Sequence, residues 1–132
     1  MKKIKPKRQG KLTVNGVILE KHEMATVVFL LGIGYDIELI PKSNKQGEHT
    51  ADLRMLSLTW EMKSPKGAGK YLIQNTLHRA AHQSENVIID LRRIKIHQTK
   101  CLQELEKAFN DLKRLKRIKI ITKSQRLIDF NK

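Results

Sequence analysis

The amino-acid sequence predicts a mixed α/β (α+β) domain, a mixed sheet flanked by helices in the order helix, three strands, helix, strand, helix and one or two strands. Three observations predict it. Apolar residues recur at intervals of three and four in three separate stretches, the spacing that gathers them on one helix face. Between these stretches lie short segments that alternate with period two or run apolar for five or six residues, as half-buried and fully buried strands do. The length, 132 residues, suits one domain that buries about two-thirds of the surface of its unfolded chain. No internal repeat or linker divides it.

The elements follow in order. Residues 1–17, opening "MKKIKPKRQGK", read as a basic tail, and 18–132 as the domain. Met24, Val27, Val28 and Leu31 fall at helical spacing before Gly32 and Gly34, which predicts a first helix over about 18–32. "YDIELIP" at 35–41 alternates and stops at Pro41, a strand followed by the polar, turn-rich loop "KSNKQGEHT". Residues 51–55 and 58–63 read as two strands joined by a tight turn at Leu56 and Ser57, residue types unusual for that position. After "SPKGAGK", the spacing of Tyr71, Ile73, Leu77, Ala80 and Ala81 predicts a second helix to about Ser84. "NVIIDL" is a strand of the buried kind. Leu102, Leu105, Phe109, Leu112 and Leu115 mark a third helix over about 97–116, and "RIKIITK" and "RLIDF" close the chain as strands.

Composition narrows the function classes. With 27 Lys and Arg against 13 Asp and Glu, the formal charge is +14, far above what solubility requires, so a polyanion is the expected partner, nucleic acid before an anionic membrane. The longest apolar stretch, residues 25–34, is about half of a spanning helix. No apolar region or cleavage site follows the basic start, as a secretory signal would need. The one cysteine, Cys101, has no Cys or His at zinc spacing and reads as a helix-packing residue in a reducing compartment. At 5%, aromatic residues are too few for a base-stacking platform, which counts against a single-stranded RNA-binding module.

The charged residues of the hairpin carry the chemistry. A two-residue turn at 56–57 sets Asp52 opposite Glu61 on one face, and alternation adds Lys63 to it, while Leu58, Trp60 and Met62 point the other way. Adjacent acids repel each other. A divalent cation held by both is one resolution, with water or phosphate completing its shell and Lys63 orienting the water or offsetting charge on phosphorus. An exposed face on which Lys63 neutralises two acids is the other.

An acid followed nine residues later by Glu-x-Lys on the next strand, within helix-strand-strand-strand-helix-strand, resembles the PD-(D/E)XK nuclease superfamily. More narrowly, "ADLRMLSLTWEMKSPKG" followed by "IQNTLHRAAHQSENVIIDLRR" resembles the C-terminal tRNase toxin domains of CdiA-type contact-dependent growth inhibition systems, over about residues 20–95. The resemblance implies a PD-(D/E)XK core and metal-dependent cleavage of tRNA in the cytoplasm of a target bacterium, after delivery from another cell. It further implies a cognate immunity protein that blocks the site. Asp52 and Glu61 match the metal-binding acids, for Mg²⁺, Mn²⁺ or Zn²⁺, and Lys63 the lysine of the motif; Ala51 replaces the proline of the superfamily name. Many such nucleases add an acid from the first helix, for which Glu23 is the candidate, with a first-turn acid favoured by the helix dipole as the competing reading.

"SPKGAGK" lacks the spacing of a nucleotide-binding phosphate loop. Lys66 and Lys70, with backbone N–H groups of the turn, are still candidates for an RNA phosphate. Lys70, Gln74 and His78 form a polar stripe on the second helix; Gln74 occupies a position that some nucleases of the superfamily use, and His78 and Arg79 are RNA-contact candidates or solvated surface. The expectation is a metal-dependent endoribonuclease. The alternatives are a DNase of the same superfamily, a metal-free tRNase of the barnase and RelE-like group, and an inactive RNA-binding relative.

Overall fold

The computed structural model describes residues 8–132; residues 1–7 of the expected basic tail lie outside the described residues. Ten elements follow one another: β1 (Leu12–Thr13), α1 (Lys21–Ile33), β2 (Ile37–Leu39), β3 (Leu53–Met55), β4 (Leu58–Lys63), α2 (Leu72–Gln83), β5 (Asn86–Asp90), α3 (Gln98–Asp111), β6 (Arg117–Ile121) and β7 (Leu127–Asn131). The strands lie side by side in chain order in one seven-stranded mixed sheet. Pairing is antiparallel between β2 and β3, β3 and β4, and β6 and β7, and parallel elsewhere. Each parallel pair is joined through a helix, as parallel neighbours require.

Two cores sandwich the sheet. α1 covers one face with Val27 and Leu30 against Ile37, Leu39, Leu53, Met55, Trp60, Met62, Ile88 and Ile121. α2 and α3 cover the other, where Ile73, Leu77, Cys101, Leu105 and Phe109 meet Val87, Ile89, Ile118 and Ile120. β5 is buried along its whole length, the burial its apolar run implies. Cys101 is buried in α3, and its burial pushes the thiol above its ordinary range.

Local chemistry sets the boundaries. α1 begins at Lys21 rather than at 18 because Glu20 and Glu23 close a capping box, with Glu23 Oε1 accepting the Glu20 N–H at 2.9 Å. It ends at Gly34, whose φ of 116° is a left-handed cap open to glycine. α3 stops at Asp111, short of 116, because Lys116 and Arg117 both donate backbone N–H bonds to the Glu85 carbonyl, drawing the basic run beside β5. The expected tail also contributes to the sheet: Leu12 and Thr13 pair with β2, and Asp36 accepts from Arg8 and from the Lys11 N–H. Two residues of strand are too few for periodicity to reveal. Among the described residues no helix is long and apolar enough to cross a membrane.

The hairpin register has Leu53 opposite Trp60 and Met55 opposite Leu58. Leu56 and Ser57 both have positive φ, 55° and 61°, as a type I′ turn demands although neither is glycine. Trp60 helps hold them there, donating Nε1–H to the Met55 carbonyl at 2.8 Å.

Candidate active site

The site is built from the face of β3 and β4 turned away from α1. Trp60 and Met62 enter the α1 core; Glu61 and Lys63 stand beside Val87 and Ile89, which point to the α2 side. The Asp52 N–H donates to the Trp60 carbonyl at 3.1 Å, continuing the ladder so that Asp52 lies across from Glu61. The two carboxyl groups are close enough that each shifts the titration of the other.

The pair is strongly asymmetric. Glu61, 4% exposed at its side chain, is pushed up to about 8 by burial and then by the neighbouring Asp52 carboxylate. Asp52 is held below its ordinary value: burial opposes its ionisation, but hydrogen bonds from Glu61, Lys42 and the Met62 N–H outweigh it. At neutral pH the pair therefore shares one proton, carried by Glu61.

The loop between β2 and β3 wraps this pair with cationic and imidazole groups. Lys42 Nζ lies 2.6 Å from Asp52 Oδ1, and the Met62 N–H donates to Asp52 Oδ2 at 2.7 Å. His49 Nε2 is 2.5 Å from Glu61 Oε2. The loop is tied by Lys42 Nζ donating to the Thr50 carbonyl and the Ser43 N–H donating to Thr50 Oγ1. Neither Lys42 nor His49 is visible as a site residue in sequence, because "KSNKQGEHT" has no periodicity and only the folded loop brings it over the sheet.

The donor chemistry suits a hard cation. Two carboxylates on neighbouring strands, sharing one proton that a cation would replace, offer oxygens to a divalent ion whose shell water and phosphate would complete. They do not make a closed cage: among the described residues no three His, Cys, Asp or Glu side chains gather tightly enough to hold a metal.

The remaining candidates are distributed around this centre. Lys63 is partly buried at the end of β4, and its charge acts on Glu61. Glu23 sits in the α1 cap, and no contact among the described residues joins it to Asp52 or Glu61. Lys66 and Lys70 are exposed in the connection to α2, with Lys70 Nζ 5.4 Å from the centre of the Tyr71 ring. Gln74, His78 and Arg79 share an open groove on α2 with Asn75 and His82.

A different acid completes the other face. Asp90, at the end of β5, is ion-paired to Arg92 at 2.8 Å and accepts from Thr26 Oγ1 of α1 at 2.6 Å. Arg92 Nη2 also donates to the Ala25 carbonyl. Burial opposes the charge on Asp90, and these partners more than offset it, so its carboxyl is held below its ordinary value. Arg92 is thus a brace between β5 and α1.

Comparisons with known proteins bear on this arrangement. The family model described as "Contact-dependent growth inhibition CdiA C-terminal domain" matches residues 48–127. The chain is also similar in structure to a chain of the "CdiA-CT/CdiI toxin and immunity complex from Burkholderia pseudomallei", with a TM-score of 0.69 and 15% sequence identity, over 93% of this chain and 100% of that one. At that identity the likeness concerns the fold. No curated protein matches the sequence.

Proposed function

The chain belongs to the contact-dependent growth inhibition CdiA C-terminal domain family, a family of toxin domains, and from that premise we propose that it is a metal-dependent endoribonuclease cleaving tRNA. The observation that carries the reading is the meeting of Asp52 and Glu61 on adjacent strands, with Lys63 on their face. The formal charge of +14 supports a polyanionic substrate. The likeness to the PD-(D/E)XK superfamily supports the roles: Asp52 and Glu61 hold Mg²⁺, Mn²⁺ or Zn²⁺, and Lys63 assists. Such an ion supplies Lewis-acid activation of water and of the phosphate when bound.

The protein's own residues do the rest. To hold such an ion Glu61 would release to solvent the proton that burial favours on it, whereas Asp52, already ionised, would need no such change. The Lys63 ammonium offsets charge growing on the phosphate oxygens or orients the attacking water. Lys66, Lys70, Gln74, His78 and Arg79 follow the RNA backbone, reading shape more than sequence. Glu23 caps α1, the helix that packs on the sheet face opposite Asp52 and Glu61, so opening the cap alone would not bring it to the pair. The substrate is met in the cytoplasm of a target bacterium, and a cognate immunity protein, as in the Burkholderia complex by its description, covers the site in the producing cell.

Incubation of total tRNA and of plasmid DNA with the protein, with and without chelator, tests the proposal. Expected is tRNA cleavage that chelation abolishes, that added metal restores, and that Lys63→Ala removes. Cutting of plasmid instead would make it a DNase, and chelator-insensitive cutting of tRNA would reject the metal. Binding of tRNA without cleavage would leave an RNA-binding relative.

A further inference from the structure

Between the end of β4 and the first turns of α2 lies a cavity of about 280 Å³ lined by Lys63, Ser64, Pro65, Leu72, Thr76 and Arg79. Its wall contains groups that the fold leaves without partners. Ser64 Oγ is buried and makes no hydrogen bond, a state that native proteins avoid unless something else is bound there. Neither Lys63 nor Arg79 forms an ion pair among the described residues. Arg79 uses Nε on the Asn75 carbonyl at 3.3 Å, which leaves both Nη groups to donate elsewhere. Thr76 Oγ1 spends its proton on the Leu72 carbonyl at 2.7 Å. Among the described residues no carboxylate lines the cavity.

A hollow with a free hydroxyl donor, an ammonium and a guanidinium, and with no acid, is built for an anion with several acceptor oxygens. Pro65 and Leu72 lower the local polarity, which strengthens charge-assisted hydrogen bonds. We propose that this cavity is a phosphate subsite, in which Ser64 Oγ, Lys63 Nζ and Arg79 Nη donate to the non-bridging oxygens of one backbone phosphate of the nucleic-acid substrate. The identity of that substrate rests on the nuclease reading; the anion site does not. Because Lys63 belongs to both the cavity and the carboxylate face, a phosphate seated here leaves the adjoining nucleotide beside Asp52 and Glu61.

Inorganic phosphate titrated into the full chain at constant ionic strength, followed by amide ¹H–¹⁵N shifts, tests the site. Expected is a saturable response centred on Ser64, Thr76 and Arg79, which chloride does not reproduce. Ser64→Ala and Arg79→Gln should each weaken phosphate binding about tenfold, the effect of losing one charge-assisted hydrogen bond. Lys107→Gln, an equal loss of charge on the exposed face of α3, should leave it unchanged. A short RNA oligonucleotide should lose the same factor in the two cavity variants; if it does not while phosphate does, a free phosphate ligand replaces the backbone as the occupant and the proposal is overturned. Shifts spread over the surface lysines, with equal affinity in all variants, would overturn the subsite and leave the nuclease reading standing. A protein that binds phosphate here as expected but cuts no nucleic acid would overturn that reading and not the site.

Discussion

Glu61→Gln should flatten the dependence of stability on pH. Glu61 has its carboxyl raised from 4.5 to about 8 in the folded protein. A group raised on folding contributes stability that is fully present below its unfolded value and is lost as pH rises through the folded one. Asp52 is lowered from 3.8, so its contribution is present above that value and disappears only on further acidification. The range from about pH 5 to pH 9 therefore isolates Glu61. At 1.36 kcal/mol per pH unit the upper limit is about 5 kcal/mol, and screening by solvent at the open side of the loop reduces the expected loss to about 2 kcal/mol. The amide introduced by Glu61→Gln would keep the shape of the protonated acid and lack the charge, so urea unfolding with chelator present should show the protein with Glu61 losing about 2 kcal/mol more than the variant across this range. Because His49 contacts Glu61, both proteins carry His49→Gln, so that the difference reports the carboxyl alone. Parallel stability curves would refute the account of a buried, proton-sharing pair.

Lys42→Ala removes the ammonium 2.6 Å from Asp52 and should raise the Asp52 carboxyl toward its ordinary value, read by ¹³C NMR titration; an unchanged titration would show that Lys42 does not hold the charge there. Arg92→Ala leaves Asp90 buried and unpaired beside α1, and should cost about 3 kcal/mol in urea unfolding, with a loss under about 1 kcal/mol excluding the brace. Leu56→Asn combined with Ser57→Gly suits the two positive φ angles of the hairpin and should stabilise by about 1 kcal/mol, read as a rise in Tm; a fall in Tm would refute the strain argument.

The acid pair was legible because a period-two strand and a two-residue turn leave little freedom: once Leu56 and Ser57 are the turn, Asp52 must face Glu61. The turn itself was hard to read, since its residues lack the small or flexible character that positive φ favours, and the Trp60 bond to the Met55 carbonyl is a tertiary fact. Helix centres followed from apolar spacing; their ends did not, because the α1 cap and the Glu85 carbonyl that ends the basic run are contacts of particular atoms. Lys42 and His49 were illegible for a different reason, as a loop of polar residues has no period to say which face it will cover.

By itself the sequence determined the alternation of helices and strands, the excess of positive charge and the common face of Asp52, Glu61 and Lys63, all consequences of spacing along one chain. Only the tertiary structure decided that Glu61 is buried and keeps a proton, that Arg92 braces a helix, and that Ser64 and Arg79 line one cavity. Those properties depend on solvent exclusion and on atoms brought together from distant positions, neither of which local periodicity encodes.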